Sequence, residues 1–442
     1  MNTLLKTFVI LSLITVATLD IKAQQTSFKF KLGSGKVPTG YTQITESTIF
    51  SPETGYGIDL GSKVKVINRG GKDALKNSFV TADQPFFFSV NVPEGNYKVT
   101  LTVGDANEAT ALTVKAEARR LMLEKLVTKP GEFTRKTFIV NVRRPEISTN
   151  TRVSLNDREL SSLSWDHKLT LEFNGKRPCI SSIEIVKVED QITVYLAGNS
   201  TVVDQGYEPW GSWGQIFPRF FKPGIAIANY AESGLTLASF KKQRRLEKIL
   251  SLIKPGDYLF IEFGHNDQKM NGPNDGAWKS YTDNFNSYIA EVKKKGGIPV
   301  VVTSTSRRRF DENGKTINTL GDFPAAARKV AEEAQVEMID LNSMTATLYD
   351  ALGVEPSKRA FVHYPANTFP GQDKALADNT HFNTYGAYEL AKCVVLGIQN
   401  SKLGLKKFLL DLPTFDPSQP DPFEKFDVPP TPGVELIKPA GN

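Results

Sequence analysis

Four short polar stretches carry residue types that could do nucleophilic chemistry. The first is Leu196-Ala197-Gly198-Asn199-Ser200-Thr201, which puts a serine directly after an apolar run. A hydroxyl there sits where a strand of a parallel sheet would end, the edge at which ligands bind. It can also open a helix, whose free N–H groups favour a developing anion, or act as a plain N-cap. The second, Asn229-Tyr230-Ala231-Glu232-Ser233-Gly234, ends in a glycine suited to close backbone approach, to positive φ, or to an ordinary loop. The third, Glu262-Phe263-Gly264-His265-Asn266-Asp267, sets three polar side chains after another apolar run. Asn266 there offers an amide to an oxyanion, or closes the strand as an Asx turn. The fourth is Asp378-Asn379-Thr380-His381-Phe382-Asn383. A carboxylate three residues from an imidazole can hold one ring nitrogen and leave the other to take a proton, the general-base half of a nucleophilic site. A metal reading of the same pair lacks a third convergent His or Cys.

These stretches need a scaffold, and the hydrophobic pattern supplies one. Apolar runs at 192–197, 225–229, 258–263, 298–303 and 336–341 alternate with amphipathic stretches at 240–253, 281–295 and 385–400. That alternation predicts a parallel sheet with helices on both faces. Near-continuous apolar strands agree with burial of both sheet faces. Before residue 190 the grammar differs. Period-two runs at 86–92, 97–103, 135–142, 169–173 and 183–186 are separated by turn residues, which predicts an all-β sandwich or jelly roll. Pro93-Glu94-Gly95-Asn96 reads as a hairpin connection. Residues 411–442 hold eight of the 25 prolines, so an extended tail is expected.

Composition narrows the class. The 442 residues carry a formal charge of +6, 40% hydrophobic residues, four histidines and two cysteines, a globular composition long enough for two or three domains. So mild a charge gives no support to nucleic-acid binding. Cys179 and Cys393 are far apart and make no disulfide framework. Gly33-Ser34-Gly35-Lys36 lacks the spacing of a phosphate loop, and no HExxH or dinucleotide fingerprint occurs. At the N-terminus, Lys6, an apolar run over 8–19 and the small residue Ala23 have the layout of a secretory signal peptide, so a secreted or periplasmic protein without an integral membrane segment is expected.

Taken jointly, Ser200 after the first strand, Gly234 after the second, Gly264-His265-Asn266-Asp267 after the third and Asp378-x-x-His381 before the last helix resemble the SGNH hydrolases, also called the GDSL esterase family. Within that family residues 192–402 are most similar to the rhamnogalacturonan acetylesterases, including Ser306-Arg307-Arg308-Arg309-Phe310-Asp311 and Thr316-Ile317-Asn318. The N-terminal sandwich resembles galactose-binding-like modules. Together with the patterns above, the resemblance gives the expected layout: a signal peptide (1–23), a β-sandwich (26–190), a flavodoxin-like three-layer α/β hydrolase domain (191–410) and a proline-rich tail (411–442).

Carried onto this chain, the resemblance makes Ser200 the nucleophile, His381 the general base and Asp378 its orienting acid. The Ser200 and Gly234 amides and the Asn266 side chain would form the oxyanion hole. One departure stands out: the family's Gly-Asp-Ser is Gly198-Asn199-Ser200 here. Asn199 keeps the shape and one acceptor oxygen but not the charge, which leaves the hydrogen bonding around the nucleophile open. Asn199-Ser200-Thr201 also matches a glycosylation sequon, a coincidence at an active-site turn. His265, Arg307, Arg308, Trp210 and His363 are candidates for the substrate cleft, the arginines because a guanidinium fork matches a carboxylate. The expected substrate is an acetylated pectic polysaccharide, with no metal and no organic cofactor. The rival readings are a deacetylase of another glycan, a short-chain esterase or lipase of the same fold, and an inactive carbohydrate-binding protein.

Overall fold

In the computed structural model of this protein, residues 25–440 are described. The export segment expected at 1–23 lies outside the described residues. No helix among the described residues is long and apolar enough to cross a membrane.

Alternating apolar residues build two facing sheets in the first half of the chain. One sheet has the order Phe133–Val142, Gly95–Gly104, Ile180–Val188, Ser27–Leu32, Thr42–Ile44, and Ser78–Thr81 and Lys65–Asn68 also join it. The other runs Tyr56–Asp59, Phe86–Asn91, Lys168–Arg177, Thr110–Ala116, Arg120–Thr128. Their inner faces interdigitate, with Phe30 of one sheet edge-on to Phe88 of the other at 5.0 Å. Residues 93–96 do not form the expected hairpin: Phe86–Asn91 and Gly95–Gly104 belong to different sheets. A Pro-Glu-Gly-Asn turn signal fixes a change of direction, but not which sheet the next strand joins.

The second half forms a five-stranded parallel sheet of order Ile225–Asn229, Ile192–Gly198, Tyr258–Glu262, Ile298–Val302, Glu337–Ile339. This is the doubly wound 2-1-3-4-5 arrangement, which opens a crevice at the carboxyl end of the first and third strands. Alternate side chains enter separate cores. Val194, Leu196 and Phe260 face the C-terminal helix Thr384–Asn400, whereas Tyr195, Ala197 and Ile261 face the helices on the other side.

One expected helix is two. Leu237–Lys242 and Arg245–Leu252 are separated at Arg244, whose φ is +62°. The reason is tertiary. The break lets the Gln243 carbonyl accept the Ser154 amide at 3.0 Å and aims the buried Arg245 guanidinium at Glu159, 2.5 Å away. Both partners come from the N-terminal half. The two halves are therefore joined by buried polar contacts, the densest of them at the turn between Thr110–Ala116 and Arg120–Thr128. Arg119 donates to the carbonyls of Gln205 and Trp210 and pairs with Glu208, while Arg120 and Arg143 converge on Asp204.

Candidate active site

The strand Ile192–Gly198 ends where the chain must turn sharply. A Cβ on Gly198 would come within 2.5 Å of Val202, so only glycine allows the turn to close. The turn delivers Ser200, which is buried apart from 2% of its surface. Asn199 braces the turn through the oxygen that it shares with an aspartate: Oδ1 accepts the Thr201 amide at 3.1 Å and the Thr201 hydroxyl at 3.0 Å. Its Nδ2 has no partner, and the residue is fully buried, which withholds the sequon from a glycan.

Asp378 and His381 lie on the strand Leu376–Phe382, which pairs antiparallel with Phe361–Tyr364 and ends just before the last helix. His381 Nε2 is 2.8 Å from Ser200 Oγ, and Nδ1 is 2.7 Å from Asp378 Oδ2. The other Asp378 oxygen accepts the amides of Thr380 and His381 at 2.9 and 3.0 Å. Burial alone would raise the Asp378 pKa. The ring of His381 and the two amides overcome it and hold the carboxyl down at about 2. An ionised carboxylate only accepts, so Nδ1 carries the imidazole proton, and bare Nε2 accepts from the serine hydroxyl.

Around Ser200 the donors of the crevice are not all engaged. Among the described residues, neither the Ser200 amide nor the Gly234 amide donates a hydrogen bond. Gly234 takes φ +82°, a left-handed conformation that glycine adopts without strain. Asn266 uses Nδ2 to donate to the Leu235 carbonyl at 3.1 Å, which occupies one of its two hydrogens.

Three of the remaining candidates, His265, Arg308 and Trp210, are buried, while His363 and Arg307 keep part of their surface exposed. His265 is 1% exposed and engages the Thr305 carbonyl at 2.9 Å, so it supports the site from inside and does not line a cleft. Burial, Arg307 and His381 together push its pKa well below the usual histidine value, which keeps the ring neutral. Arg308 is buried and used internally by Ser357, Asn379 and the Val354 carbonyl. Trp210 is buried as well; it lines a cavity of about 290 Å³ with Gln205, Glu232, Ile437 and Pro439, beside the relay and not containing it. His363 is partly exposed and bonds Asn379 at 2.8 Å, next to Asp378 in the chain. Of these candidates Arg307 is a half-buried cation near the crevice, its two terminal nitrogens donating to the Gln268 side-chain oxygen at 2.7 Å.

Two residues that support the turn carrying Ser200 were not singled out from the sequence. Glu262 accepts Thr201 Oγ1 at 2.9 Å and Trp213 Nε1 at 2.5 Å, and burial raises its pKa to about 7. Its signal was a carboxylate closing the otherwise apolar strand Tyr258–Glu262. Asp204 accepts Asn229 Nδ2 at 2.8 Å as well as the arginines of the sandwich, and nothing local in the sequence marks it.

Residues 196–387 match the GDSL-like lipase/acylhydrolase family, and residues 28–141 match the beta-agarase/YXIM esterase-like, galactose-binding domain-like family. Rhamnogalacturonan acetylesterase RhgT of Bacillus subtilis is 42% identical over 221 residues, 50% of this chain and 94% of that protein. The chain belongs to the GDSL-like lipase/acylhydrolase family. It is a carboxylic ester hydrolase with an N-terminal galactose-binding-like domain ahead of the α/β hydrolase domain. The uncharacterized esterase YxiM of Bacillus subtilis is 25% identical over 392 residues, 85% of this chain and 92% of that protein. The crystal structure of YxiM aligns over 84% of this chain and 98% of that one, at 24% identity and a TM-score of 0.44.

Proposed function

We propose that this chain is an exported acetylesterase that removes O-acetyl groups from a pectic polysaccharide, rhamnogalacturonan, through an acyl-enzyme on Ser200. The observation that carries this reading is the continuous relay from Ser200 Oγ to His381 Nε2 and from Nδ1 to Asp378, at 2.8 and 2.7 Å. The likeness to a rhamnogalacturonan acetylesterase over half of the chain supports the substrate.

In this mechanism His381 takes the Ser200 proton as Oγ attacks the acetyl carbonyl. The negative charge that forms on the carbonyl oxygen meets the amides of Ser200 and Gly234 and the second Nδ2 hydrogen of Asn266. Asp378 stays ionised and stabilises the imidazolium. The imidazolium then protonates the departing sugar oxygen, and the ester becomes an acetyl-serine. Water, deprotonated by the same ring, attacks that ester and releases acetate, restoring the hydroxyl.

The test is acetate release from acetylated rhamnogalacturonan, acetylated xylan and long-chain esters. Rhamnogalacturonan should be preferred, and Ser200→Ala should abolish release while the protein stays folded. A preference for long acyl chains would overturn the substrate, and undiminished turnover by Ser200→Ala would overturn the nucleophile.

A further inference from the structure

The proline-rich tail does not hang free. After Leu409, which bridges to Phe221, the chain runs back along the molecule and is held at successive points. Tyr385 Oη donates to the Asp421 carbonyl at 2.6 Å. Lys115 of the sandwich donates to the Pro429 carbonyl and to Thr431 Oγ1, each at 2.7 Å, and Asn174 donates to the Pro430 carbonyl at 2.8 Å. Thr431 Oγ1 donates to Glu172 at 2.7 Å, and the Glu435 amide donates to the Glu208 carbonyl at 3.0 Å. Side chains from both domains thus set the tail's path, and that path ends at the relay. A Cβ on Gly234 would lie 3.1 Å from Ala440, and Lys438 Nζ is 3.7 Å from Asp378 Oδ2.

This end of the tail adds a cation to a place that already has two. Lys269 is exposed on the turn after the third strand of the parallel sheet, and Arg307 is half-exposed after the fourth. Neither forms an ion pair among the described residues. The three groups feel one another: beyond partial burial, the positive charges of Arg307 and Lys438 lower the pKa of Lys269. Only Lys438 of the three has a carboxylate beside it, Asp378, so the cluster keeps a surplus of positive charge that an anionic ligand would offset. Lys438 keeps about half of its side chain in solvent (47%), so its ammonium can swing from Asp378 toward a ligand.

We propose that the C-terminal segment supplies a specificity residue, Lys438, which with Lys269 and Arg307 forms a cationic rim that binds a carboxylate on the sugar chain being deacetylated. The inference rests on the substrate class proposed above and adds a recognition element from outside the family-matched region. A sugar acid adjacent to the acetylated residue would be held by charge-assisted hydrogen bonds beside the serine, while a neutral glycan would gain nothing from the rim.

The full chain should be assayed on acetylated galacturonate-containing oligosaccharides and on the same oligosaccharides with their carboxylates reduced to neutral hexose. The wild type should prefer the charged form, and rising salt should erode that preference by screening. Lys438→Glu should lower the ratio of kcat/KM on charged to neutral substrate by about 10-fold, mostly through KM, with Lys438→Ala intermediate. An equal fall in kcat on both substrates would overturn the proposal and make Lys438 a support for Asp378. Faster turnover of both substrates after deletion of residues 436–442 would overturn it in favour of an inhibitory strap. A wild type that releases no acetate from any polysaccharide yet hydrolyses para-nitrophenyl acetate would overturn the substrate class itself. An unchanged ratio in Lys438→Glu with wild-type polysaccharide activity intact would overturn the role of Lys438 alone.

Discussion

Charged and polar groups are buried in two regions, and the two treat them differently. Where the sandwich meets the hydrolase domain, Arg120 and Arg143 share Asp204, Arg119 pairs with Glu208, and Arg245 pairs with Glu159. Opposite charges there pair across the domain contact, although the Nε groups of Arg119, Arg120 and Arg143 are buried without a hydrogen-bond acceptor among the described residues. At the carboxyl edge of the parallel sheet, the relay is equally buried, but the amides of Ser200 and Gly234 and one Asn266 hydrogen are left over. The ion pairs hold a shape in which these amides stay open to an acceptor from outside the protein. The regions also communicate. Arg119 holds the Gln205 carbonyl, and the Gln205 side chain donates to the Ser200 carbonyl at 3.0 Å. The galactose-binding-like domain is thereby part of the wall behind Ser200.

The contrast can be broken first at the relay. Asp378→Asn would present an N–H to His381 Nδ1, force the proton onto Nε2 and leave the serine without a base. A fall in kcat of about 10⁴-fold is expected with little change in thermal unfolding. At the domain contact the effect should be the reverse. Asp204→Ala strands two buried guanidinium groups and should cost about 3–5 kcal/mol of stability in denaturant titration. A mild stability loss there would mean that the arginines find other partners and that the matching is loose. Asn266→Ala sharpens the claim about leftover donors. It should lower kcat by about 100- to 1,000-fold and leave KM nearly unchanged.

The last effect concerns pH. Burial raises the Asp267 pKa to about 7, and its Oδ2 has no partner. The folded protein therefore holds a proton that the unfolded chain releases near pH 4. Stability is lost as pH rises through that window. Asp267→Asn keeps the Oδ1 acceptor for the Leu237 amide and removes the titration. Unfolding midpoints measured from pH 4 to pH 8 should fall less steeply in the variant, and parallel curves would show that Asp267 is ionised throughout.

The site was legible because its residues are local punctuation on a periodic pattern. Apolar runs of five or six residues announce buried parallel strands, and the polar residues just past the end of each run must sit at the ligand edge. Ser200, Gly234 and Asn266 could be read that way. His265 and Arg308 could not be told from cleft residues, since burial and internal partners such as Thr305 and Ser357 come from distant chain. Asp204 and Glu262 were missed for the same reason: each matters through contacts far away in sequence.

The order of polar stretches behind the parallel strands, and the change from period two to strand–helix alternation near residue 190, are properties of the chain alone, because side-chain period is set by backbone geometry. Tertiary structure decided the rest. It joined residues 93–96 across two sheets, broke the helix at Arg244, turned Arg119 into the wall behind Ser200 and brought Lys438 to Asp378. Such pairings are set by which buried charges and donors remain unmatched once the layers close, and that balance belongs to the whole fold.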